Sequence, residues 1–343
     1  MRCLKCLILF VFPFVVEPLS LKHVNEEWQL FKLKFNRTYT CPRDEAYRYS
    51  VFADNLQTIQ LHNMAADKGE STYWMGINNF ADLTDKEFEE RYTGLKIRPE
   101  MIKRTQKKFV GKKNFNLTRP PKEMDWRKLG CVTKIKFQGL CGSCYAFAAT
   151  GALEGQTCRK KGKLVSLSEQ NIIDCTSNPM FLNDGCTGGQ AENSYQYVID
   201  NGGIDTESSY PYTGKVGKCK FSKENIGATV EDYIDIPFKN ELRLQNVVAN
   251  LGPASVCIDT RGAKHYRYGI YDGVSKIDLS MCSEMKVNHA MTAIGYGRSN
   301  TGMDFWILKN SWGEDWGEKG YMRLIRNHGN RCGITTMASY PVV

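Results

Sequence analysis

The chain has 343 residues, of which 42% are hydrophobic and 24% are charged, and this composition is typical of a globular protein with two or three folded units. Its net charge of +9 lies mostly before Pro120, because the residues from there onward contain 26 Lys and Arg against 23 Asp and Glu. That uneven distribution excludes a uniformly basic nucleic-acid-binding protein.

The N-terminus has the pattern of a secretory signal peptide. Arg2 and Lys5 precede an apolar run at residues 7–16, which then gives way to polar residues. About ten apolar residues are too few to span a bilayer, and no later stretch approaches a membrane span. We therefore predict a signal peptide at residues 1–20, in preference to a buried N-terminal helix, and a soluble mature protein that is lysosomal or secreted.

Residues 21–119 are expected to form a small helical domain that ends in a linker. Aromatic residues recur at helical spacing in WQLFKLKF, and a second helical period covers residues 44–63. The segment 96–113 has eight basic residues against one acidic residue and no long apolar periodicity. This pattern favours a solvated linker over a nucleic-acid-binding tail, and the prolines at 120 and 121 mark the boundary.

From residue 120 onward the pattern changes from helical to β-rich. Residues 144–201 are mostly helical, with Ser143 and Ser168 as expected N-caps and Gly162 as an expected helix stop. Farther along, apolar runs alternate with glycine, and four are typical of antiparallel strands: ASVCID, HAMTAIGYG, DFWILKN and GYMRLIR. We therefore predict an α+β unit at residues 120–343, with a helical half, a β half and a cleft between them.

Two cysteines three residues apart, Cys141 and Cys144, lie in the segment QGLCGSCYAF. A structural zinc site would need a second close pair of ligands, and the sequence has no such pair. A thioredoxin-like dithiol would need a βαβ context, whereas two predicted helices follow here. The third interpretation is a nucleophile beside a structural half-cystine, and this requires a general base elsewhere in the chain.

His289 is the histidine best placed to be that base. It begins an apolar strand in VNHAMTAIGYG, whereas His265 and His328 lie in polar segments and are expected at the surface. A lone histidine in such a strand would usually be structural. Asn310, in KNSWGEDWG at the end of the next strand, adds an amide that could orient the imidazole.

The segments QGLCGSCYAF, VNHA and KNSWG, in this order, resemble those of the papain family of cysteine peptidases, especially the cathepsin L, S and K group. The flanking segments MDWRKLGCVTK, GALEGQ, KLVSLSEQNIIDC and GCTGG agree, so the resemblance covers nearly the whole chain from Pro120. It implies a papain-like two-lobed fold, with a helical lobe and an antiparallel β-barrel-like lobe, and no cofactor or metal. One departure is Tyr145, where most relatives have tryptophan, and we do not expect it to remove activity.

By motif, the resemblance makes Cys144 the nucleophile, His289 the base and later the acid, and Asn310 the residue that orients the imidazole. Gln138 supplies an amide to the oxyanion hole beside the backbone N–H of Cys144, and Trp312 covers the His–Asn hydrogen bond. A thiolate at a helix N-terminus is favoured by the helix dipole and by an imidazolium partner, which supports these roles physically.

The resemblance also implies a pocket for the side chain two residues before the scissile bond. Gly188 and Gly189 would form a ledge along which the substrate backbone lies as an extended strand. Six residues are assigned to the pocket wall: Gln190, Ala191, Cys257, Val287, Ala290 and Met337. Because most are apolar and none is charged, we expect an aliphatic side chain to be preferred, and the flexible Met337 to disfavour the largest aromatic rings. Gln190 and Ala191 predict a wide, polar mouth that discriminates weakly among Leu, Val and Ile.

Disulfide pairing follows from the same resemblance. It implies three bonds: Cys141–Cys186, Cys175–Cys219 and Cys282–Cys332. Cys131, Cys158 and Cys257 are then left over, and each is interpreted as a small buried thiol.

The first region resembles cathepsin L-type propeptides. Six residues fit the helical E-x3-R-x3-F-x2-N-x3-I-x3-N signature, with Asp44 in place of the usual Glu: Asp44, Arg48, Phe52, Asn55, Ile59 and Asn63. Four more fit its G-x-N-x-F-x-D element: Gly76, Asn78, Phe80 and Asp82. The resemblance implies an inhibitory propeptide at residues 21–119. Asn36 and Asn116 lie in N-x-T glycosylation acceptors.

The sequence therefore predicts a cysteine endopeptidase made as an autoinhibited zymogen and activated in acid. The resemblance implies a monomer whose partners are protein and peptide substrates, its own propeptide and cystatin-type inhibitors, with no nucleic acid. A cathepsin B-like exopeptidase is not favoured, because no paired-histidine insertion is apparent. The alternative function is a catalytically silent binding protein, although such proteins usually lose the cysteine or histidine that this chain retains.

Overall fold

The computed structural model describes residues 20–95, 118–274 and 281–343. The predicted signal peptide up to residue 19, the predicted basic linker at 96–113 and the Asn116 acceptor lie outside the described residues. Within the described ranges, no helix has both the length and the apolar character needed to cross a bilayer.

The N-terminal region contains three helices and a short strand: α1 (Leu21–Lys34), α2 (Pro42–Asp67), β1 (Tyr73–Met75) and α3 (Asp85–Tyr92). The side chain of Ser20 caps α1 by accepting a hydrogen bond from the His23 N–H at 3.3 Å. The apolar faces of α1 and α2 meet in a cluster that buries Trp28, Phe31 and Phe52. The helical spacing of apolar residues therefore gives the predicted helices.

The helical lobe of the larger unit follows β2 (Met124–Asp125) and contains α4 (Cys144–Lys161), α5 (Glu169–Thr176), α6 (Ala191–Asn201), β3 (Ile204–Asp205) and β4 (Ile226–Ala228). Helix α4 ends at Gly162, which has a φ of +70° that glycine adopts without steric cost. Ser168 caps α5 by accepting the Asn171 N–H at 2.9 Å. The predicted helix start at Cys144, stop at Gly162 and cap at Ser168 are confirmed, whereas the Ser143 side chain makes no capping hydrogen bond and instead contacts the Tyr212 hydroxyl at 2.8 Å.

The β lobe contains α7 (Glu241–Asn250) and the strands β5 (Asp232–Ile236), β6 (Ala254–Ile258), β7 (Tyr266–Tyr271), β8 (His289–Arg298), β9 (Asp304–Lys309), β10 (Tyr321–Ile325) and β11 (Ala338–Val342). The strand order is β1-β7-β10-β9-β8-β6-β11-β5, and β2 pairs with β8. All pairs are antiparallel except β7 with β10. The four predicted strands are β6, β8, β9 and β10, and the α+β prediction is confirmed.

Strand β1 joins the N-terminal region to the sheet of the β lobe. It pairs antiparallel with β7, with Tyr73 opposite Gly269 and Trp74 opposite Tyr268. The rings of Trp74 and Tyr268 stack with their centroids 5.0 Å apart. Just beyond β1, the Gly76 N–H donates to the His265 carbonyl at 2.8 Å. The N-terminal region therefore covers the edge of β7 and the loop that precedes it.

The prediction that His265 lies at the surface is wrong. Its residue is 3% exposed, because the loop that carries it lies beneath the strand around Gly76. Neither ring nitrogen has a hydrogen-bond partner among the described residues. Burial lowers the pKa of His265 well below 6.5, and the neighbouring Lys264 ammonium adds to this. His328 is exposed, as predicted.

Four disulfides link the described residues, three of which are the pairs that the resemblance implies: Cys141–Cys186, Cys175–Cys219 and Cys282–Cys332. The fourth joins Cys131 to Cys158, so the prediction of two unpaired thiols there is wrong. Helix α4 carries Cys158 back beside the loop at Cys131, a proximity that arises only in the folded chain. Cys257 is a buried free thiol, as predicted, and Cys41 is exposed and unpaired.

Candidate active site

Cys144 is the first residue of α4, and its side chain is completely buried. Its sulfur receives backbone N–H groups from Ala290, at the start of β8, and from Gly94 in the N-terminal region. Burial raises the pKa of the Cys144 thiol to about 11, and this outweighs the stabilisation that a helix N-terminus gives a thiolate. While the N-terminal region covers it, the thiol is neutral.

His289 and Asn310 form a buried hydrogen-bonded pair beside the thiol. The His289 Nε2 lies 2.8 Å from the Asn310 Oδ1. Because that oxygen can only accept, Nε2 carries the proton, and Nδ1 is left as an acceptor without a hydrogen-bond partner among the described residues. The Trp312 ring stacks on the imidazole with centroids 4.3 Å apart and shields the pair from water. Burial lowers the pKa of His289 to about 4, against the opposing effect of the Asn310 hydrogen bond.

Gln138 is buried between the two lobes and the N-terminal region. Its Oε1 accepts a hydrogen bond from the Ser311 hydroxyl at 2.7 Å, which fixes the amide so that Nε2 is the donor. Nε2 donates to the carbonyls of Cys141 at 2.9 Å and Tyr92 at 3.2 Å. The Trp312 indole N–H also donates to the Tyr92 carbonyl at 3.0 Å. The Tyr92 carbonyl of the N-terminal region thus accepts from the Gln138 Nε2, the donor that the resemblance assigns to the oxyanion hole.

An apolar pocket lies next to Cys144. Its cluster of buried residues contains Cys144, Ala148, Cys257, Val287, Ala290 and Met337. Four of the six predicted wall residues are therefore brought together. Ala191 instead packs in the core of the helical lobe, and Gln190 is buried with its N–H donated to the Asn183 Oδ1 at 2.9 Å. Leu95 of the N-terminal region packs against the pocket cluster.

The residues before Leu95 run through the cleft as an extended strand. The Gly189 N–H donates to the Gly94 carbonyl at 2.9 Å, and Leu95 forms a parallel bridge with Gly189. From the other side, the N–H groups of Gly94 and Leu95 approach the Asn288 carbonyl at 3.3 and 3.1 Å. A side chain at position 94 would overlap the Gly142 carbonyl, so only glycine fits this passage. The segment therefore forms hydrogen bonds with both lobes that line the cleft.

Lys264 is a second anchor for the N-terminal region. Its ammonium donates to the Asn55 Oδ1 at 3.0 Å and the Leu83 carbonyl at 2.9 Å, and it pairs with Asp85 at 2.6 Å. Its carbonyl accepts from the Asn78 side-chain amide at 2.8 Å. Asn55 and Asn78 belong to the two predicted propeptide signatures, so these signatures include direct docking contacts.

Sequence reasoning did not identify Tyr92, Gly94, Leu95, Ser311 and Lys264 as part of this arrangement. Tyr92 is the last residue of α3, and Gly94 and Leu95 follow it in the short segment YTGL, which has no periodicity and no motif. Ser311 lies within KNSWG, directly after Asn310, and this position in the motif is the one sequence signal that could have identified it. Among the described residues, no group of three or more His, Cys, Asp or Glu is placed to hold a metal ion.

Comparisons with known proteins match both parts of the chain. Residues 120–342 match the family described as papain family cysteine protease, and residues 28–88 match the cathepsin propeptide inhibitor domain. A cathepsin L of Sarcophaga peregrina is 43% identical over 96% of this chain and 95% of its own length. A cathepsin S of Bos taurus is 42% identical over 93% of each chain. The solved structure of digestive procathepsin L 3 from Tenebrio molitor larval midgut covers 94% of this chain with a TM-score of 0.82 and 38% identity, and is itself covered completely.

Proposed function

Because this chain belongs to the papain family of cysteine proteases and is a cathepsin-like endopeptidase with a propeptide inhibitor domain, we propose that it cleaves peptide bonds through a thioester on Cys144 after acid-dependent release of that propeptide. The observation that carries the proposal is the convergence of Cys144, the His289–Asn310 pair and Gln138 beneath a strand of the propeptide. We place the signal peptide at 1–20, the propeptide at 21–119 and the peptidase at 120–343.

Acylation begins with transfer of the Cys144 proton to the His289 Nδ1, the ring nitrogen that has no other partner among the described residues. The thiolate attacks the scissile carbonyl carbon, and the developing oxyanion accepts hydrogen bonds from the Gln138 Nε2 and the Cys144 N–H. When the tetrahedral intermediate collapses, the C–N bond breaks and the leaving amine takes the proton from His289. The acyl group then remains on sulfur as a thioester.

Deacylation repeats the same steps with water. His289 takes a proton from a water molecule, whose oxygen attacks the thioester carbonyl, and the thiolate leaves as the peptide acid is released. Asn310 keeps Nε2 protonated throughout, so Nδ1 remains the proton carrier in both halves of the reaction. Trp312 keeps water away from the His–Asn hydrogen bond.

Latency has a steric part and an electrostatic part. The Thr93–Leu95 segment fills the cleft, and the Tyr92 carbonyl occupies the Gln138 donor. The same cover desolvates the dyad, which holds the pKa of Cys144 at about 11 and that of His289 at about 4. Between pH 5 and pH 7 both groups are then uncharged. Release of the propeptide rehydrates the cleft and permits the thiolate–imidazolium pair.

Acid weakens docking through groups whose protonation favours the released state. His265 has a pKa well below 6.5 when buried, so its contribution to docking is complete above pH 6.5 and declines as the pH falls below that value. By contrast, Arg48 lowers the pKa of Glu87 to about 2, but both residues belong to the propeptide, so this pair stabilises the propeptide itself, and its contribution declines only as the pH falls below about 4.5. We assign the response between pH 6.5 and pH 5 to His265 together with His289, since burial under the propeptide lowers the pKa of both.

The other charged groups around His265 modify this response without reversing it. Lys264, Asp85, Glu89 and Arg261 line the same cavity of about 430 Å³ between the propeptide and the β lobe. Burial raises the pKa of Glu89, so its protonation in acid favours docking and opposes the effect of His265. Lys264 stays charged across this range, although burial lowers its pKa.

The pocket beside Cys144 is proposed to select an aliphatic side chain two residues before the scissile bond. The propeptide itself packs Leu95 against Cys257, Val287, Ala290 and Met337. Selection should follow buried apolar area, with a methylene worth roughly 1–3 kcal/mol. A peptide library varied at that position measures the preference, and strong selection for Arg or Phe over Leu would contradict the pocket assignment.

The secretory pathway is the proposed route, with a lysosomal or secreted destination. The N-terminal sequence pattern and the four disulfides support it, because such bonds persist in oxidising compartments. Asn36 is exposed after α1 and is available for glycosylation. We propose that the released enzyme is a monomer that cystatin-type inhibitors can block at the same cleft.

The direct test is to treat the processed protein with a thiol-directed epoxide and map the adduct. We expect one modification, at Cys144, and parallel loss of peptide hydrolysis. Cys257 is the internal control, because it lies within strand β6, where no helix N-terminus favours a thiolate, and we expect it to remain unlabelled. A protein that binds peptides without turnover and is not labelled at Cys144 would instead be the silent binding protein considered from the sequence.

A further inference from the structure

Tyr145 lies directly after the nucleophile and is completely buried in the core of the helical lobe. Its hydroxyl donates a hydrogen bond of 3.0 Å to the carbonyl of Gly185. Gly185 begins the loop 185–189, which ends at the glycine that pairs with the propeptide strand. The side chain thus connects the nucleophile helix to the loop that holds an extended peptide.

The ring of Tyr145 also lies immediately behind Gly189. A Cβ on Gly189 would come within 2.9 Å of the Tyr145 Cε2 and 2.5 Å of the Asn183 Oδ1. The same Asn183 oxygen accepts the Gln190 N–H at 2.9 Å, so the end of the loop is held from behind by two side chains. The front of Gly189 is the face that donates its N–H to the Gly94 carbonyl.

The 185–189 loop has few other contacts with the segment that carries Cys144. The Cys141–Cys186 disulfide and the Gly142 N–H to Cys186 carbonyl bond of 2.8 Å hold its middle. Its own turn is closed by the Asp184 N–H, which donates to the Gly188 carbonyl at 2.8 Å. None of these contacts reaches the Gly185 carbonyl.

We propose that Tyr145 is a residue that positions the substrate. Its hydroxyl holds the 185–189 loop in the position in which Gly189 pairs with the backbone of an extended peptide. The inference rests on the proposed function, because the peptide strand at Gly189 is taken to be the substrate's place. The hydroxyl acts on binding rather than on the thiol. Its loss should therefore change KM and leave kcat and thiol reactivity nearly unchanged.

The test variant is Tyr145→Phe, which keeps the ring and removes only the hydroxyl. The matched control is Tyr197→Phe, in the same buried core, where the lost hydroxyl accepts the Asn171 side-chain amide at 3.0 Å away from the loop. Each variant is measured as a whole precursor by amide hydrogen exchange. After processing, each is measured by hydrolysis of a leucine-containing peptide and by alkylation of Cys144 with iodoacetamide.

For Tyr145→Phe we expect exchange at residues 184–189 and KM both to rise by about three- to tenfold, the effect of one neutral hydrogen bond. The kcat and the alkylation rate should match those of Tyr197→Phe. Loop exchange and KM equal to those of the control would overturn the proposal, and so would a fall in kcat and alkylation with KM unchanged. If no variant hydrolyses peptide, the proposed function fails, while exchange in the precursor still decides the role of Tyr145.

Discussion

Two of the contacts between the propeptide and the peptidase differ in their chemistry. The sheet contact comprises β1 and the segment that follows it, docked on β7 and on the loop that carries Lys264 and His265. The cleft contact is the Thr93–Leu95 segment, held by main-chain hydrogen bonds and one apolar side chain. Each contact covers a histidine whose pKa is lowered by burial: His265 under the sheet contact and His289 under the cleft contact. Acid can therefore loosen both contacts, but only the sheet contact also contains a charged anchor, Lys264.

The largest effect is expected from Cys144→Ala, which removes the chemistry and leaves both contacts in place. Hydrolysis should fall by roughly 10⁴-fold or more, because the attacking atom is lost. His289→Ala should lose nearly as much, and the double variant should lose little more than either single variant. The measurement is kcat/KM on a peptide amide after processing in trans. Substantial turnover by Cys144→Ala would exclude the thioester mechanism.

The next largest effect is expected from Gly94→Ala, which breaks the cleft contact alone. The added methyl overlaps the Gly142 carbonyl, so the strand must leave its place. Labelling of Cys144 by a thiol-directed epoxide in the uncut precursor at pH 7 should accelerate roughly 100-fold. This factor corresponds to a destabilisation of the docked strand near the upper end of the range for an overpacked contact.

Gly69→Ala is the control for that change. Gly69 has a φ of +78°, but its added methyl meets no atom within 4 Å. It therefore introduces backbone strain in the propeptide without a clash in the cleft. Equal labelling of the two variants would mean that the cleft strand does not determine access to Cys144.

Lys264→Met tests the sheet contact and should have a smaller effect. The variant leaves the Asn55 Oδ1 without its donor at a half-buried place, which costs about 1–3 kcal/mol for an unsatisfied group, whereas the Leu83 carbonyl keeps the Asn55 side-chain amide as a donor. Labelling of Cys144 should accelerate roughly tenfold, since the cleft strand stays in place. The control is Lys160→Met, which removes an exposed ion pair with Glu231. If Lys264→Met is as latent as this control, the anchor is not needed.

The smallest effect is expected from His265→Phe, and it appears only as a change in pH dependence. In a Cys144→Ala background, the unsubstituted precursor should lose docking as the pH falls below 6.5, because the released state binds a proton that the docked state excludes. The variant should dock equally well at pH 7 and require a lower pH for release. Fluorescence of Trp74, which stacks on Tyr268, reports docking.

The control for the pH experiment is His328→Phe, which alters an exposed histidine in a turn. It should reproduce the pH profile of the unsubstituted precursor. Identical profiles for the two phenylalanine variants would transfer the acid response to His289, the other buried histidine that the propeptide covers.

The sequence predicts local structure well where the signal is local. Ser168 and Gly162 act within one turn of their own helices, so both boundaries are confirmed. The site residues Cys144, His289 and Asn310 were assigned from motif resemblance. The structure joins His289 to Asn310 by a hydrogen bond and places Ala290, the residue after His289, in one cluster with Cys144, and the catalytic roles stay predictions.

Features that depend on distant segments could not be predicted in this way. Cys131 meets Cys158 only because α4 returns past the preceding loop. His265 is buried by a strand almost 190 residues earlier in the chain, so its polar neighbours in sequence give the wrong indication. Leu95 reaches the pocket from a segment without periodicity. In each case the determining interaction is tertiary, and no local pattern encodes it.

Pairing of β1 with β7 has a consequence for the enzyme that remains after processing. Departure of the propeptide converts β7 from an interior strand into an edge strand, with a row of unpaired N–H and C=O groups open to another chain. The exposed Arg267 and the irregular backbone at Gly269, with φ of +102°, disfavour a long added strand, and β1 itself has only three residues. We therefore expect these features to limit edge-to-edge aggregation of the mature enzyme on the surface that its precursor uses for docking.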